Sequence, residues 1–440
     1  MHIRQIHIKN VKSIRELTWD FPQNRAKGWH VVLGDNGSGK STVLKAIAAA
    51  LLGPRESYGL RQAWDTWLSH GSESGEIRLV LEWNDEIDQF ASFRGMPPPT
   101  KPHPFILELK RSADNAKSVA MVWPTDGTGA AANLWGDEIG GCFGFSASYG
   151  AFRRFSGGSS TAESTFSETL RRLTRHLSLF DDGYTLVDSL NWWRICKFDD
   201  RIYKGEFPLK EHFQLLLDRF IALVNDEGLL PSGVRLKDVT LDRIEFRDAS
   251  GVPLPINELS DGYRSILSIV FDLVFQLALA FGWDWVFDSE HDSRVIAPGV
   301  VLIDEIDAHL HPTWQKRIGY WLTEHFPNIQ FIVSTHSPLI CHAAEHGSIL
   351  LLPRSGTDDK PRLLEGTELK RVVYGNVLDA YGTDAFGEEA ATTRSPTSQA
   401  MRGRLALLNN KELVKGLDES ERNEQEALRA AMPTAAASVD

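Results

Sequence analysis

The sequence is poor in cysteine: Cys142, Cys196 and Cys341 are three isolated thiols in 440 residues, with no Cys-x-x-Cys pair. That excludes a disulfide framework and a zinc ribbon, and it points to a reducing compartment. Basic residues are not in excess either. Lys and Arg number 47 against 59 Asp and Glu, a net charge of −12, so a nucleic-acid contact has to be a local patch on an acidic body. No signal-peptide core stands in the strand-like opening MHIRQIHIKNV. The longest apolar stretch, Ile266 to Phe287, is broken by Ser268, Asp272, Gln276 and Asp284. A membrane span would bury Asp272 and Gln276 near its middle, which favours a core helix. Internal repeats and heptad runs of coiled-coil length are also missing. The expectation is a soluble, cytoplasmic chain with no membrane partner.

What is present is ordinary globular material, 42% hydrophobic and 24% charged, enough for about three domains or one large one with insertions. Alternation predicts strands at 3–11 and 17–21, and Trp29 to Leu33 predicts a third that runs into a glycine-rich turn. A helix is expected over Lys40 to Leu52, and β structure over Glu76 to Trp83 and Phe105 to Trp123. From Glu163 to Leu230 the pattern turns helical, with Leu173 and Leu177, then Phe213, Leu216, Phe220 and Leu223, at 3–4 spacing. Strands are predicted again at Val239–Phe246, Val300–Ile303 and Gln330–Ser334. The last ninety residues read as mixed, then helical, with a tail from Ala435 to Asp440 expected to fray.

Three segments carry chemistry. Gly34-Asp35-Asn36-Gly37-Ser38-Gly39-Lys40-Ser41, followed by Thr42, fits G-x-x-x-x-G-K-[ST] between a strand and a helix. Glycines let backbone N–H groups converge on phosphate oxygens at a helix N-terminus. Lys40 would reach the β- and γ-phosphates and the Ser41 hydroxyl would bind Mg²⁺. In Val300-Val301-Leu302-Ile303-Asp304-Glu305, an apolar strand ends in two carboxylates at the edge where open α/β sheets hold ligands. One suits Mg²⁺ and the other can orient or deprotonate water. Finally, Phe331-Ile332-Val333 leads into Ser334-Thr335-His336-Ser337-Pro338, a strand ending in a polar turn with one histidine. Leu259-Ser260-Asp261-Gly262-Tyr263-Arg264 reads in isolation as an N-cap of the following helix or as a functional segment. Its place in the order matters, because it precedes the two carboxylates and the histidine follows them.

Taken in that order, the motifs resemble ABC-type ATPase heads of the RecF, SMC and OLD-like group. The likeness spans residues 1–350: Walker A, a signature LSDGYR, Walker B VVLIDEIDAHLHP and a switch histidine in VSTHSP. It implies an α/β fold, a mixed sheet flanked by helices, with a mainly helical insert at about 151–235 and a helical C-terminal extension over 351–440. It further implies ATP and Mg²⁺, the metal on Ser41 and Asp304. Glu305 would be the catalytic carboxylate, His336 the γ-phosphate sensor, and Asp307 part of a loop crossing a head-to-head dimer. Ser260, Asp261 and Gly262 of one chain would face the phosphate held by Lys40 of the other.

The likeness has one departure. The family places a glutamine near the strand before its insert, and Ser146-Ala147-Ser148-Tyr149-Gly150-Ala151-Phe152-Arg153-Arg154 holds none. The string Tyr-Gly-x-x-Arg-Arg resembles stand-alone bacterial ATPases, many of them in anti-phage defence. There Arg153 either touches phosphate or lies in a surface turn.

Spacing separates the relatives. The 220 residues between Lys40 and Ser260 exceed a transporter's compact domain, and the insert is too short for SMC arms. The 90 residues after 350 show neither a Toprim pattern nor an HNH cluster, and His309 with His311 reads as family sequence. Tyr374-Gly375-Asn376-Val377-Leu378, Thr393-Arg394-Ser395-Pro396 and leucines 405, 407, 408, 413 and 417 resemble the tail of defence ATPases of the PtuA kind. Those work beside a separate HNH nuclease. The expected function is an ATPase that regulates a separate effector nuclease in anti-phage defence and has no nuclease activity itself. A RecF-like repair ATPase, the ATPase of a PARIS-like defence pair and an ATP-clamped scaffold without turnover are the alternatives. Nucleic acid stays open as a partner, since Arg171, Arg172, Arg175 and His176 form either a basic patch or a solvated helix face. Trp192 and Trp193 either stack on a ligand or pack in the core.

Overall fold

The computed structural model describes residues 1–21, 25–83, 101–111, 119–122, 144–153, 171–186, 193, 210–227, 229–230, 233–239, 244–282, 285–291, 293–357, 359–381, 383, 385–386 and 396–431. Two compact units divide at Ala380/Tyr381. In the first, the described residues form a central six-stranded sheet. Its order is β14 (Arg362–Leu363), β13 (Ser348–Leu351), β3 (Gly28–Leu33), β12 (Ile329–Thr335), β11 (Gly299–Ile303) and β7 (Ser146–Tyr149). All neighbours pair in parallel except the antiparallel edge strand β14. Every residue of β11 and β12 is buried, as expected for strands covered on both faces.

A second, antiparallel sheet runs β2 (Ile14–Asp20), β1 (His2–Val11), β4 (Ser74–Glu82), β5 (His103–Arg111) and β6 (Val119–Val122). A small third sheet holds β10 (Pro253–Pro255), β9 (Ile244–Arg247) and β8 (Arg235–Val239). Two stretches read as single β segments are therefore hairpin pairs, β5 with β6 and β8 with β9. Their turns fall outside the described residues, and apolar alternation continues across both halves of such a pair.

Helix α1 (Lys40–Tyr58) lies between the two large sheets, against β1, β4 and β5 on one side and β11 and β12 on the other. From Val43 to Leu52 only Lys45 is not buried. Four of the buried residues are alanines, Ala46, Ala48, Ala49 and Ala50, and these small side chains let both sheets come close. The helix end expected at Leu52 is a kink, with Gly53 at φ 79 and Pro54 next to it. Side chains take up carbonyls opened by the break. Arg172 Nη2 donates to Leu51 O at 3.0 Å and Leu52 O at 3.3 Å, and Ser57 Oγ donates to Ala49 O at 2.9 Å.

The helical pattern of the insert appears as α2 (Arg171–Phe180) and α3 (Lys210–Asn225). Helix α4 (Asp261–Phe281) is long and apolar enough to cross a membrane by length and composition, yet it is buried continuously from Ser265 to Ala278. Its polar residues are paired there: Tyr149 Oη donates to Asp272 Oδ2 at 3.0 Å and Gln276 Nε2 to Asp272 Oδ1 at 3.4 Å. Helices α5 (Pro312–His325) and α6 (Gly366–Tyr374) complete the first unit's long helices among the described residues. The N-terminal strand is tied to the central sheet by a side chain that imitates main chain. Gln330 accepts from Ile3 N at 2.7 Å and donates to Ile3 O at 3.0 Å.

In the second unit, α7 (Pro396–Lys415) packs on α8 (Glu419–Ala431). Leu405 and Leu408 are buried, and Gln425 donates to Asn409 and Glu412. Leu407, Leu413 and Val414 are exposed. The tail expected to fray lies outside the described residues.

Candidate active site

The turn between β3 and α1 is built on glycines for local reasons. Gly37 and Gly39 have φ of 78° and 101°, a region that residues with a Cβ rarely adopt. At Gly34 a Cβ would stand 2.6 Å from Ser38 Oγ and 3.2 Å from Leu352 Cβ. Ser38 Oγ is itself buried with no hydrogen-bond partner, which suits a loop built to hold an acceptor such as a phosphate oxygen. Asp35, Asn36 and Gly37 are exposed, and Ser41 and Thr42 form the first turn of α1, half-buried.

Lys40 is 5% exposed. Its Nζ donates to Gly34 O at 2.9 Å and Asp35 O at 3.0 Å, and stands 2.6 Å from His336 Nε2. An ammonium can only donate, so that nitrogen is the acceptor and the ring is neutral. Burial and then the Lys40 charge hold His336 below its usual pKa, in agreement. Burial also lowers Lys40, opposed by the carboxylates of Glu305, Asp304, Asp307 and Asp35.

β11 delivers Asp304 and Glu305 beside this loop. Ser334 Oγ donates to Asp304 Oδ1 at 2.5 Å and accepts from Glu305 N at 2.8 Å, so one hydroxyl holds both acidic residues. Thr335 Oγ1 donates to Asp307 at 2.5 Å. Glu305 has a φ of 44°, a left-handed backbone that costs a residue with a Cβ about 1–3 kcal/mol. His311 is an N-cap for α5, accepting from Thr313 N at 3.3 Å.

Arg153 departs from one of the two expectations for it. It is 3% exposed, so it is no surface turn. Nη1 donates to Gly150 O (2.9 Å) and Asp304 O (2.8 Å), and Nη2 to Glu305 O (3.1 Å) and Ile306 O (3.1 Å). Burial pushes its pKa down to about 10, against the pull of Asp304, Asp307 and Glu305; it stays charged at neutral pH.

The basic cluster on α2 is likewise no solvated face. Arg172 pairs with Glu56 at 3.1 Å and braces the α1 kink; Arg175 lies 5.0 Å over the Phe145 ring. His176 is buried, meets Ser148 Oγ at 3.0 Å and Ser146 Oγ at 3.1 Å, and has its pKa pushed down to about 3 by burial. The Arg171 side chain, Arg154 and Trp192 lie outside the described residues. Trp193 is core: it is buried, stacks on Phe220 at 4.2 Å and donates to Phe271 O.

Ser260 sits at the N-cap of α4, but its hydroxyl makes no capping bond, and Ser260 and Asp261 are exposed. Gly262 allows close packing: a Cβ there would lie 2.7 Å from His309 O. Tyr263 meets Trp314 edge-on at 4.8 Å. This segment thus rests on the turn after Glu305. Among the described residues no hydrogen bond joins it to Gly34–Ser41. The structure therefore brings together the phosphate-loop residues, Asp304, Glu305 and His336, and leaves Ser260, Asp261 and Gly262 apart from them.

Sequence reasoning missed Ser334, Thr335 and the β1–β2 turn. Ser13 Oγ would be 3.0 Å from a Cβ at Gly39, and Lys12 lies 4.9 Å over the Trp67 ring. The signal available for Ser334 was its position two residues before His336, at the end of the strand that leads to it.

Residues 5–99 match the family model described as "AAA domain", and residues 154–342 match "AAA domain, putative AbiEii toxin, Type IV TA system". The chain is 26% identical over 354 residues to the Septu protein PtuA of Bacillus mycoides (strain KBAB4), covering 80% of this chain and 40% of that protein. It is 29% identical over 228 residues to the Septu protein PtuA of Bacillus thuringiensis, covering 49% and 53% respectively. Against the Retron Ec83 probable ATPase of Escherichia coli it is 37% identical over 135 residues, 31% of this chain and 23% of that one. The chain spans about half or less of the length of these relatives. The SMC head domain from Thermotoga maritima aligns with a TM-score of 0.43 at 18% identity, over 83% of this chain and 100% of that one.

Proposed function

We propose that this chain, an ABC-type P-loop ATPase head of the RecF, SMC and OLD-like group, binds and hydrolyses ATP with Mg²⁺ in the bacterial cytoplasm and thereby controls a separate effector nuclease in anti-phage defence. The observation that carries the ATPase reading is the convergence of Lys40, Asp304, Glu305 and His336 at one end of β3, β11 and β12. The loop amides and Lys40 would hold the phosphates. Ser41 and Asp304 offer the hard oxygen donors that Mg²⁺ takes. When bound, the ion neutralises charge on the β- and γ-phosphate oxygens. Glu305 would accept a proton from the attacking water, and neutral His336, beside Lys40, would meet the terminal phosphate.

The uncapped, exposed Ser260 supports a site completed by a second copy, Ser260, Asp261 and Gly262 lying across from the partner's phosphates. The PtuA and retron relatives support the defence role. For the effector, the exposed Leu407, Leu413 and Val414 support docking on the C-terminal unit, and an HNH-type nuclease is the effector proposed.

The test is to purify the full chain and assay phosphate release together with cleavage of DNA and RNA in Mg²⁺ and Mn²⁺. Phosphate release without cleavage is expected. Metal-dependent cleavage that disappears when the chain's own carboxylates are substituted would overturn the division of labour. Deleting 381–440 should abolish co-purification with a co-expressed HNH-type nuclease that the full chain retains, while ATP binding persists.

A further inference from the structure

The Arg153 guanidinium is buried against three successive main-chain carbonyls, those of Asp304, Glu305 and Ile306, and its own Gly150. Three carbonyls in a row converge on one point only where the backbone bends sharply, and the bend is the left-handed Glu305. The other side of the bend is held independently. Glu305 N donates to Ser334 Oγ at 2.8 Å and Ile306 N to Ser334 O at 3.1 Å. The turn is thus gripped by its amides from β12 and by its carbonyls from the segment after β7. Gly150 makes the second grip reachable: it lies so close to α2 that a Cβ would be 2.2 Å from Ser178 O.

We propose that Arg153 is a positioning residue for hydrolysis, one that fixes the backbone at Glu305 and so aims its carboxylate, rather than a phosphate ligand. The proposal rests on the reading of Glu305 as the base. Four donors in a planar fork meet four acceptors, an arrangement that Lys, with three donors at a point, cannot reproduce. The buried charge also faces Asp304, Asp307 and Glu305, which keeps the guanidinium charged and the turn drawn in. Misplacing a catalytic group by about 1 Å can cost on the order of 10²-fold in rate, so a loosened turn acts on turnover and leaves the phosphate loop alone.

The test uses the full chain with Arg153→Lys, which keeps the charge, Arg153→Gln, and Glu305→Gln alone and combined with Arg153→Lys. Expected for Arg153→Lys is ATP affinity and KM within about 3-fold of wild type and kcat lower by about 10-fold or more. Amide hydrogen exchange should quicken at 304–310 and not at 34–41. The double variant should be no slower than Glu305→Gln alone, because Arg153 acts through that residue. A kcat within about 2-fold of wild type, a loss confined to KM, or multiplying effects in the double variant would overturn the proposal. If the wild-type chain does not hydrolyse ATP, the reading of Glu305 fails, and exchange still decides the clamp: unchanged protection at 304–310 in both Arg153 variants overturns it.

Discussion

The phosphate loop and the segment Leu259–Arg264 are both glycine-containing turns that open a helix, yet they are finished to different degrees. Lys40 is fully engaged within its own chain, by two carbonyls and His336, and Asp304 and Glu305 are held by Ser334. Ser260 presents a hydroxyl that caps nothing and faces solvent. Under the proposed function, the half of a phosphate site that binds is preorganised inside a single chain, and the half that completes it is an exposed surface. On that reading binding and turnover should separate experimentally, the first within the single chain and the second in the proposed assembly.

The largest effect expected is that of Lys40→Ala, which removes the loop's mobile cation. Binding of a fluorescent ATP analogue should vanish at micromolar nucleotide, and near-native affinity would remove this loop from the site. Next comes Glu305→Gln, which should keep binding and slow phosphate release by about 10²–10⁴-fold, the usual contribution of a general base. Unchanged turnover would pass the role elsewhere, with His336 the first suspect.

Gly262→Val attacks the other half. Its side chain would press on the His309 carbonyl, a strain of roughly 1–3 kcal/mol, and should suppress turnover while ATP binding at Lys40 persists. Mixing it with Lys40→Ala sharpens the comparison. If sites are shared between chains, random pairing restores roughly a quarter of them; no recovery would return the whole site to one chain.

A last effect, apart from nucleotide chemistry, concerns pH and the scaffold alone. Burial holds His2, His30 and His176 with pKa values of about 3, 4 and 3. The unfolded chain therefore takes up protons first, and stability present above pH 6.5 is lost as pH falls towards 4. Each histidine contributes a slope on the order of 1.4 kcal/mol per pH unit in that window. Urea titrations of the nucleotide-free chain at pH 7 and 5 would show it. A flat profile would mean these rings protonate in place.

The phosphate loop, Asp304, Glu305 and His336 were legible because each lies in a short local pattern of strand, turn and side-chain type. Arg153 was not, since three of its four partners are main-chain carbonyls 151–153 residues away, and any residue can supply a carbonyl. The same blindness made Arg172, Arg175 and His176 look like a solvated or nucleic-acid-binding face. An arginine bonded to Leu51 O and Leu52 O reads in sequence like one facing solvent. Strand positions were legible from periodicity, but not strand neighbours. Nothing local in β3 says that it pairs with β12 and β13 rather than with the nearer β2.

That strand order also sets a schedule for making the protein. β1, β2, β4 and β5 pair with one another and can associate once about 110 residues have left the ribosome. β3, which carries the phosphate loop, must wait for partners at Ile329–Thr335 and Ser348–Leu351. At synthesis rates of roughly 5–20 residues per second the wait is on the order of 15–60 s. Until then β3 lacks both of the strands that flank it in the finished sheet, and the nucleotide site proposed at its end should be missing. Ribosome-bound chains from which Ile329 has not yet emerged should not be protected by ATP, and those from which Leu364 has emerged should.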